Sequence, residues 1–373
     1  MHYFIYATKD TWISSGSNHI DTAYTDANFG KDEILELKKE FWNQSFDYPT
    51  RILVSFAGTE LNDVSMSISD GTISDPKFYL RLYEAEGVQE LSQDYKIVAY
   101  PLSQSWAEGV GKLDDKPKVT NGASWVNRNY YPGASAVTWS NATGTSSYGG
   151  RYITSSGWIA SQSFSNESPD INMNVTDIVN KWLNKSVDNH GMLLRFSASQ
   201  ETNTETHGKL KFFSSNTNTI YTPKLEVRWD DHKPCTGSNT GSLLQMTMSG
   251  EPDYILYMRG LRESYRENEK VKFRVMPRKR YVQKTFSTSL QTLTGSYIPE
   301  GSGSYSILDS ATNETIVPFS AHSSMSCDST SNYFEQWLNT FQPNRAYRIL
   351  YRIKFNDNQE IIYDDDFEFK VQV

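Results

Sequence analysis

The sequence predicts an all-β protein: an N-terminal jelly-roll sandwich with one short helix, followed by a C-terminal immunoglobulin-like β-sandwich. Three observations carry this. Apolar and polar residues alternate in short runs bounded by Gly, Asn, Asp and Ser. Aromatic residues make up 13% of the chain (23 Tyr, 18 Phe and 9 Trp), and large flat rings suit pleated sheets. A hydrophobic content of 37% with a mean hydropathy of -0.59 fits thin two-layer sandwiches, whose outer faces are polar. A length of 373 residues suits two such domains.

In chain order, residues 3–7 and 11–14 read as opening strands, and residues 34–37, 51–56, 78–83 and 96–100 continue the alternation. Residues 107–170 are irregular. Within them, 135–150 is rich in Ser, Thr, Gly and Asn, with Trp139 and Tyr148 embedded. So long a loop either carries function or packs its aromatics over one end of the sandwich. The one helical signal follows. Ile178, Val179, Trp182 and Leu183 fall on one helical face, Thr176 is placed to cap it, and residues 189–191 (Asn-His-Gly) stop it. Strands resume at 192–196, 210–214 and 224–229. A polar stretch with Pro and Gly, residues 232–245, reads as a linker between domains at 1–231 and 246–373. Beyond it, residues 254–259, 271–275, 305–308, 346–355 and 367–373 alternate as strands, and residues 334–341 read as a short helical or extended cap.

Composition narrows the function. A net charge of -8 argues against general nucleic-acid binding. The first ten residues carry neither a basic n-region nor an apolar core, so no signal peptide is expected, and no apolar run is long enough for membrane insertion. Synthesis in a cytoplasm follows. The two cysteines, Cys235 and Cys327, are read as free thiols of a reducing compartment. They could pair only with Cα atoms within about 7 Å, which spacing does not reveal.

The chemistry-bearing residues form no familiar catalytic pattern. The six His lack helical ligand spacing, and His232 with Cys235 cannot by themselves close a tetrahedral metal site. No Gly-x-Ser-x-Gly elbow or phosphate loop occurs. Asp364, Asp365 and Asp366 could offer oxygens to calcium, but without EF-hand spacing they read as charge protecting a strand edge. No enzyme activity, cofactor or metal is expected. Two groups of binding residues stand out. Trp106, Trp125, Trp139 and Trp158, all in loop regions, could stack on sugar rings or fill a partner's pocket, or else anchor the loop. Lys270, Lys272 and Arg274 alternate within a cluster that continues through Arg278, Lys279, Arg280 and Lys284. They share one strand face that either docks onto a partner or is simply solvated.

Residues 1–231 resemble the DNRLRE (disaggregatase-related) domain, a jelly roll related to carbohydrate-binding modules. The resemblance runs through Ala7 to Ile13 (Ala-Thr-Lys-Asp-Thr-Trp-Ile), Asn28-Phe29-Gly30, the strands at 51–56 and 78–83, and Ser105-Trp106-Ala107-Glu108-Gly109 with Trp125-Val126. It closes through 175–182, 189–194, 213–215 and 223–227. The insertion around 135–150 departs from the pattern. The whole chain resembles virion structural proteins of T4-like contractile-tailed phages, notably those infecting cyanobacteria. That resemblance implies a virion location, other virion structural proteins as partners, and an oligomer within the particle. The domain resemblance keeps open an alternative, adhesion to a host surface glycan.

Overall fold

The computed structural model describes residues 1–16, 23–42, 46–86, 94–140, 148–165, 170–249, 253–281, 286, 288–289, 294–356 and 358–373. The chain is all-β and divides into two compact units. The N-terminal unit comprises Phe4–Thr72 and Pro76–Val227; the C-terminal unit comprises Arg228–Val373 together with Met1–Tyr3 and Ile73–Asp75. No helix among the described residues is long and apolar enough to cross a membrane.

The N-terminal unit is a jelly-roll sandwich. The strands of its two main sheets are β1 (His2–Ser14), β2 (Ile34–Lys38), β3 (Thr50–Phe56), β4 (Lys77–Leu82), β5 (Glu84–Glu86), β6 (Asp94–Pro101), β7 (Ala160–Ser165), β8 (Ile171–Asn174), β9 (Met192–Phe196), β10 (Lys209–Phe213) and β11 (Lys224–Arg228). Eight of them form one sheet in the order β7-β6-β9-β3-β1-β11-β4-β8, and β2-β10-β5 form a second. The large sheet curls until its ends nearly meet. The Gln162 amide on β7 donates to Asp170 O at 3.2 Å and accepts from Asn172 N on β8 at 2.9 Å. This satisfies edge groups that would otherwise be open to further pairing.

The two opening strands expected at 3–7 and 11–14 are one strand. A bulge shifts its register against β3 between Ala7 and Lys9, and the Thr8 hydroxyl there donates to Ser55 O at 3.2 Å. The described residues form three α-helices where the sequence predicts one: α1 (Gly58–Ser69), α2 (Thr176–Leu183) and α3 (Ala198–Thr202). α1 buries only Leu61 and Val64, so its apolar stripe is too thin to announce a helix. α2 buries the expected Ile178, Val179 and Trp182, but Thr176 is not its cap. The Thr176 hydroxyl accepts from Phe78 N at 2.9 Å and donates to Asn174 Oδ1 at 2.7 Å, fastening the helix to β4. Tertiary demand outbids the local cap.

The C-terminal unit is the immunoglobulin-like sandwich. Its strands are β12 (Tyr254–Arg259), β13 (Ser264–Arg266), β14 (Lys270–Lys279), β15 (Gly303–Asp309), β16 (Thr315–Val317), β17 (Ser326–Cys327), β18 (Asn332–Trp337), β19 (Ala346–Lys354) and β20 (Glu360–Gln372). They form a four-stranded sheet, β12-β14-β18-β17, and a five-stranded sheet, β13-β20-β19-β15-β16. Inward residues of both sheets stack as aromatics: Tyr305 lies on Phe334 at 3.8 Å, and Phe273 contacts Phe334 and Phe369 at about 5 Å. The proposed cap at 334–341 is the end of β18 followed by a 3-10 turn, Leu338–Thr340.

Two expectations need correction here. Residues 232–245 are not a free linker. Lys233 N donates to Ser326 Oγ at 3.0 Å and Cys327 N donates to Lys233 O at 3.3 Å, so the segment lies along β17. This alignment brings the Cα atoms of Cys235 and Cys327 to 4.9 Å, and the two are a disulfide, not free thiols. The buried Asn332 amide donates to Ile298 O at 3.0 Å and to Cys327 Sγ at 2.9 Å, packing polar atoms against the bridge.

Candidate ligand-binding surfaces

The strands β3 and β9 are buried at every residue, so both of their faces are covered. One cover is the chain between β6 and β7. Ile13, Leu53, Leu193, Val98 and Tyr100 on the sheet pack against Trp106, Ala123 and Trp139 from that segment, with Trp125 and Tyr152 alongside. Trp139 is wholly buried and its indole N–H donates to Ser124 O at 2.9 Å; the Trp106 indole donates to His190 O, also at 2.9 Å. Both rings have apolar partners and a satisfied N–H, so they anchor the loop and cannot serve as sugar platforms. Trp125 is half-buried beneath the Arg51 guanidinium, 4.8 Å from its ring centroid. Only Trp158 stands apart from this cluster, half-exposed with the Lys181 ammonium 5.3 Å from its ring. The structure therefore brings three of the four tryptophans together, but into a core. Residues 141–147 of the insertion, and Lys284 of the basic cluster, lie outside the described residues.

An ionic network sits in the same covered layer. Arg51 Nε donates to Glu201 Oε1 at 3.0 Å and Nη2 to Oε2 at 2.7 Å, while Nη1 donates to Gly149 O. Arg195 pairs with the same carboxylate and donates to the Tyr152 hydroxyl. All three charged side chains are buried. Arg51 and Arg195 leave adjacent strands on the side facing the loop, so a carboxylate between them is needed to offset two desolvated cations.

The resemblance motifs meet at a third place. Asn28 is buried with its amide fully used: Nδ2 donates to Glu108 O (2.7 Å) and Ala123 O (2.8 Å), and Oδ1 accepts from Gly30 N (3.1 Å) and Gly111 N (2.9 Å). A Cβ at Gly30 would fall 2.1 Å from Glu108 O, and Gly109 has φ +85°, so only glycine fits either turn. Beside this knot Asp10 is buried, with Oδ2 accepting from Ser215 N at 2.6 Å and Oδ1 without a partner. Burial, with Glu108 nearby, raises its carboxyl to about 7 in spite of the Ser215 hydrogen bond. Against the other side of the knot lies a groove of about 610 Å³ bordered by Tyr24, Phe29 and residues 112–119. Its lysines are largely committed: Lys118 to Asp26 and Ala23 O, and Lys112 to Glu33 at 3.5 Å. Among the described residues no group of three or more His, Cys, Asp and Glu is placed to hold a metal ion.

The remaining surface is the outer face of the sheet β12-β14-β18. Lys270, Lys272 and Arg274 do share a face, but they are paired across strands. Lys270 and Lys272 both reach Glu335, at 2.7 and 3.2 Å, and Arg274 forks onto Asp328 at 2.8 and 2.9 Å. Burial alone would raise Asp328; Arg274 and the N–H groups of Thr330 and Ser331 overcome it and lower the carboxyl to about 2. The register adds residues that the sequence reading missed. Arg259 lies opposite Arg274, and Tyr257 opposite Met276, on the same face, and Trp337 lies opposite Lys270. Alternation within each strand was legible, but which strands are neighbours was not. The acidic run fares similarly: Arg348 lies 3.6 Å from Asp364 and 3.8 Å from Asp366, so these carboxylates are partly balanced on β20.

Comparison with known proteins adds little. No family model matches the chain, and no curated protein matches it. A solved structure, the adhesin domain of Epf from Streptococcus pyogenes, aligns over 100% of this chain and 92% of its own at 6% identity with a TM-score of 0.16, a likeness too slight to bear on fold or function.

Proposed function

We propose that this protein is a non-enzymatic structural component of a contractile-tailed phage virion, in the tail, baseplate or neck, where its β-sandwich surfaces make the assembly contacts. The observation that carries this reading is the closed layer over β3 and β9. The N-terminal unit turns Trp106, Trp139 and the Arg51–Glu201–Arg195 network inward, bracing a fixed outer shape. A rigid module suits repeated contacts in a symmetric assembly, where weak interfaces multiply. Partners are then other virion structural proteins, and the protein enters the particle after synthesis in the host cytoplasm. Mass spectrometry of gradient-purified particles tests this. Its peptides should copurify at a fixed stoichiometry, and their absence from intact particles would end the proposal. The glycan-adhesion alternative loses Trp106 and Trp139 as platforms, because both rings are enclosed.

A further inference from the structure

The geometry points to the outer face of β12-β14-β18 as a docking surface for a linear acidic polysaccharide of low charge density. Along these three strands five cations face outward, Arg259, Lys270, Lys272, Arg274 and Arg278, against Glu335 on β18 and Asp328, which reaches Arg274 from the turn before β18. The excess is three positive charges on a chain whose net charge is -8. Arg259 and Arg278 make no ion pair among the described residues, and both are exposed. On β14 Lys270, Lys272 and Arg274 recur at every second residue, roughly 6.6 Å apart, and Met276 then separates them from Arg278, an interrupted row that suits a chain bearing widely spaced anions.

Between the free guanidiniums lies an aromatic platform. The Tyr257 hydroxyl donates to Met276 Sδ at 3.3 Å, so the ring lies across β14 instead of projecting from the sheet. It remains 40% exposed, and Trp337, on the far side of the cation row, is 39% exposed. A flat ring takes the apolar C–H face of a sugar, while guanidinium forks take the acid groups. Two features favour a polysaccharide over nucleic acid: the excess charge is small, and the chain as a whole repels a dense polyanion. This surface is independent of the assembly role proposed above, so exclusion from particles would leave it standing.

The test uses the full chain, immobilised, with hyaluronan, which carries one carboxylate per disaccharide, as the probe and dextran, poly(dT) and polyglutamate as comparators. Hyaluronan should bind at low salt and weaken as salt rises, and dextran should not bind. Arg259→Ala with Arg278→Ala should weaken binding about tenfold and flatten the salt dependence. Tyr257→Ala should weaken it comparably with the salt dependence unchanged. These side chains are exposed, so the thermal transition should hold, which separates lost binding from lost folding. The inference is overturned by no binding of hyaluronan at low salt, by binding indifferent to these substitutions, or by tighter binding of poly(dT) or polyglutamate.

Discussion

Glu201 is the residue on which the two buried guanidiniums of Arg51 and Arg195 depend. Its carboxylate lies between Arg51 and Arg195, and all three are buried. Glu201→Ala leaves two desolvated guanidiniums uncompensated, and should destabilise the unit by about 3–5 kcal/mol in urea titration. Asp10 supplies a pH dependence of defined sign. Its carboxyl is raised to about 7 in the fold, above the unfolded value near 4, so between these limits the native state holds the extra proton. Stability therefore falls as pH rises from about 4 through about 7, by on the order of 4 kcal/mol. Asp10→Asn should abolish this slope, because the amide oxygen still accepts from Ser215 N without titrating; a midpoint-versus-pH series for the two proteins decides it. Asp328 acts in the opposite sense. Lowered to about 2, it stabilises the C-terminal unit at neutral pH, and that contribution is lost as pH falls from about 4 through 2.

At the scale of elements, the segment between β6 and β7 behaves as part of the sandwich and not as a surface loop. Trp139→Ala should cost about 3–5 kcal/mol, the range for deleting a large buried ring, whereas Trp158→Ala should stay within about 1 kcal/mol. Equal effects in chemical denaturation would show that the loop is not anchored as described. The sequence offered both roles for this segment, and one physical fact separates them. Its rings meet Leu53, Leu193 and Tyr100, which leave three different strands on the same side. Alternation within a strand can be read from the chain, but two covered faces appear only once the strand order is known.

The two units differ in how they are held at the scale of the molecule. The C-terminal unit alone contains the disulfide, which closes a loop with a sequence separation of 92. On the chain-entropy model this contributes about 4.6 kcal/mol. Reduction, or Cys235→Ser with Cys327→Ser, should lower one calorimetric transition by roughly 10 °C and leave the other in place. A single transition shifted as a whole would contradict separate cores.

The sequence by itself determined the all-β class, most strand positions and the helix at 176–183, because apolar periodicity and the Gly191 stop act over a few residues. Tertiary structure alone decided the rest: the pairing of Cys235 with Cys327, the burial of Trp106 and Trp139, the sharing of Glu335 between Lys270 and Lys272, and the placing of Tyr257 and Arg259 beside them. Each of these depends on register between strands far apart in the chain, and no local pattern encodes which strands become neighbours.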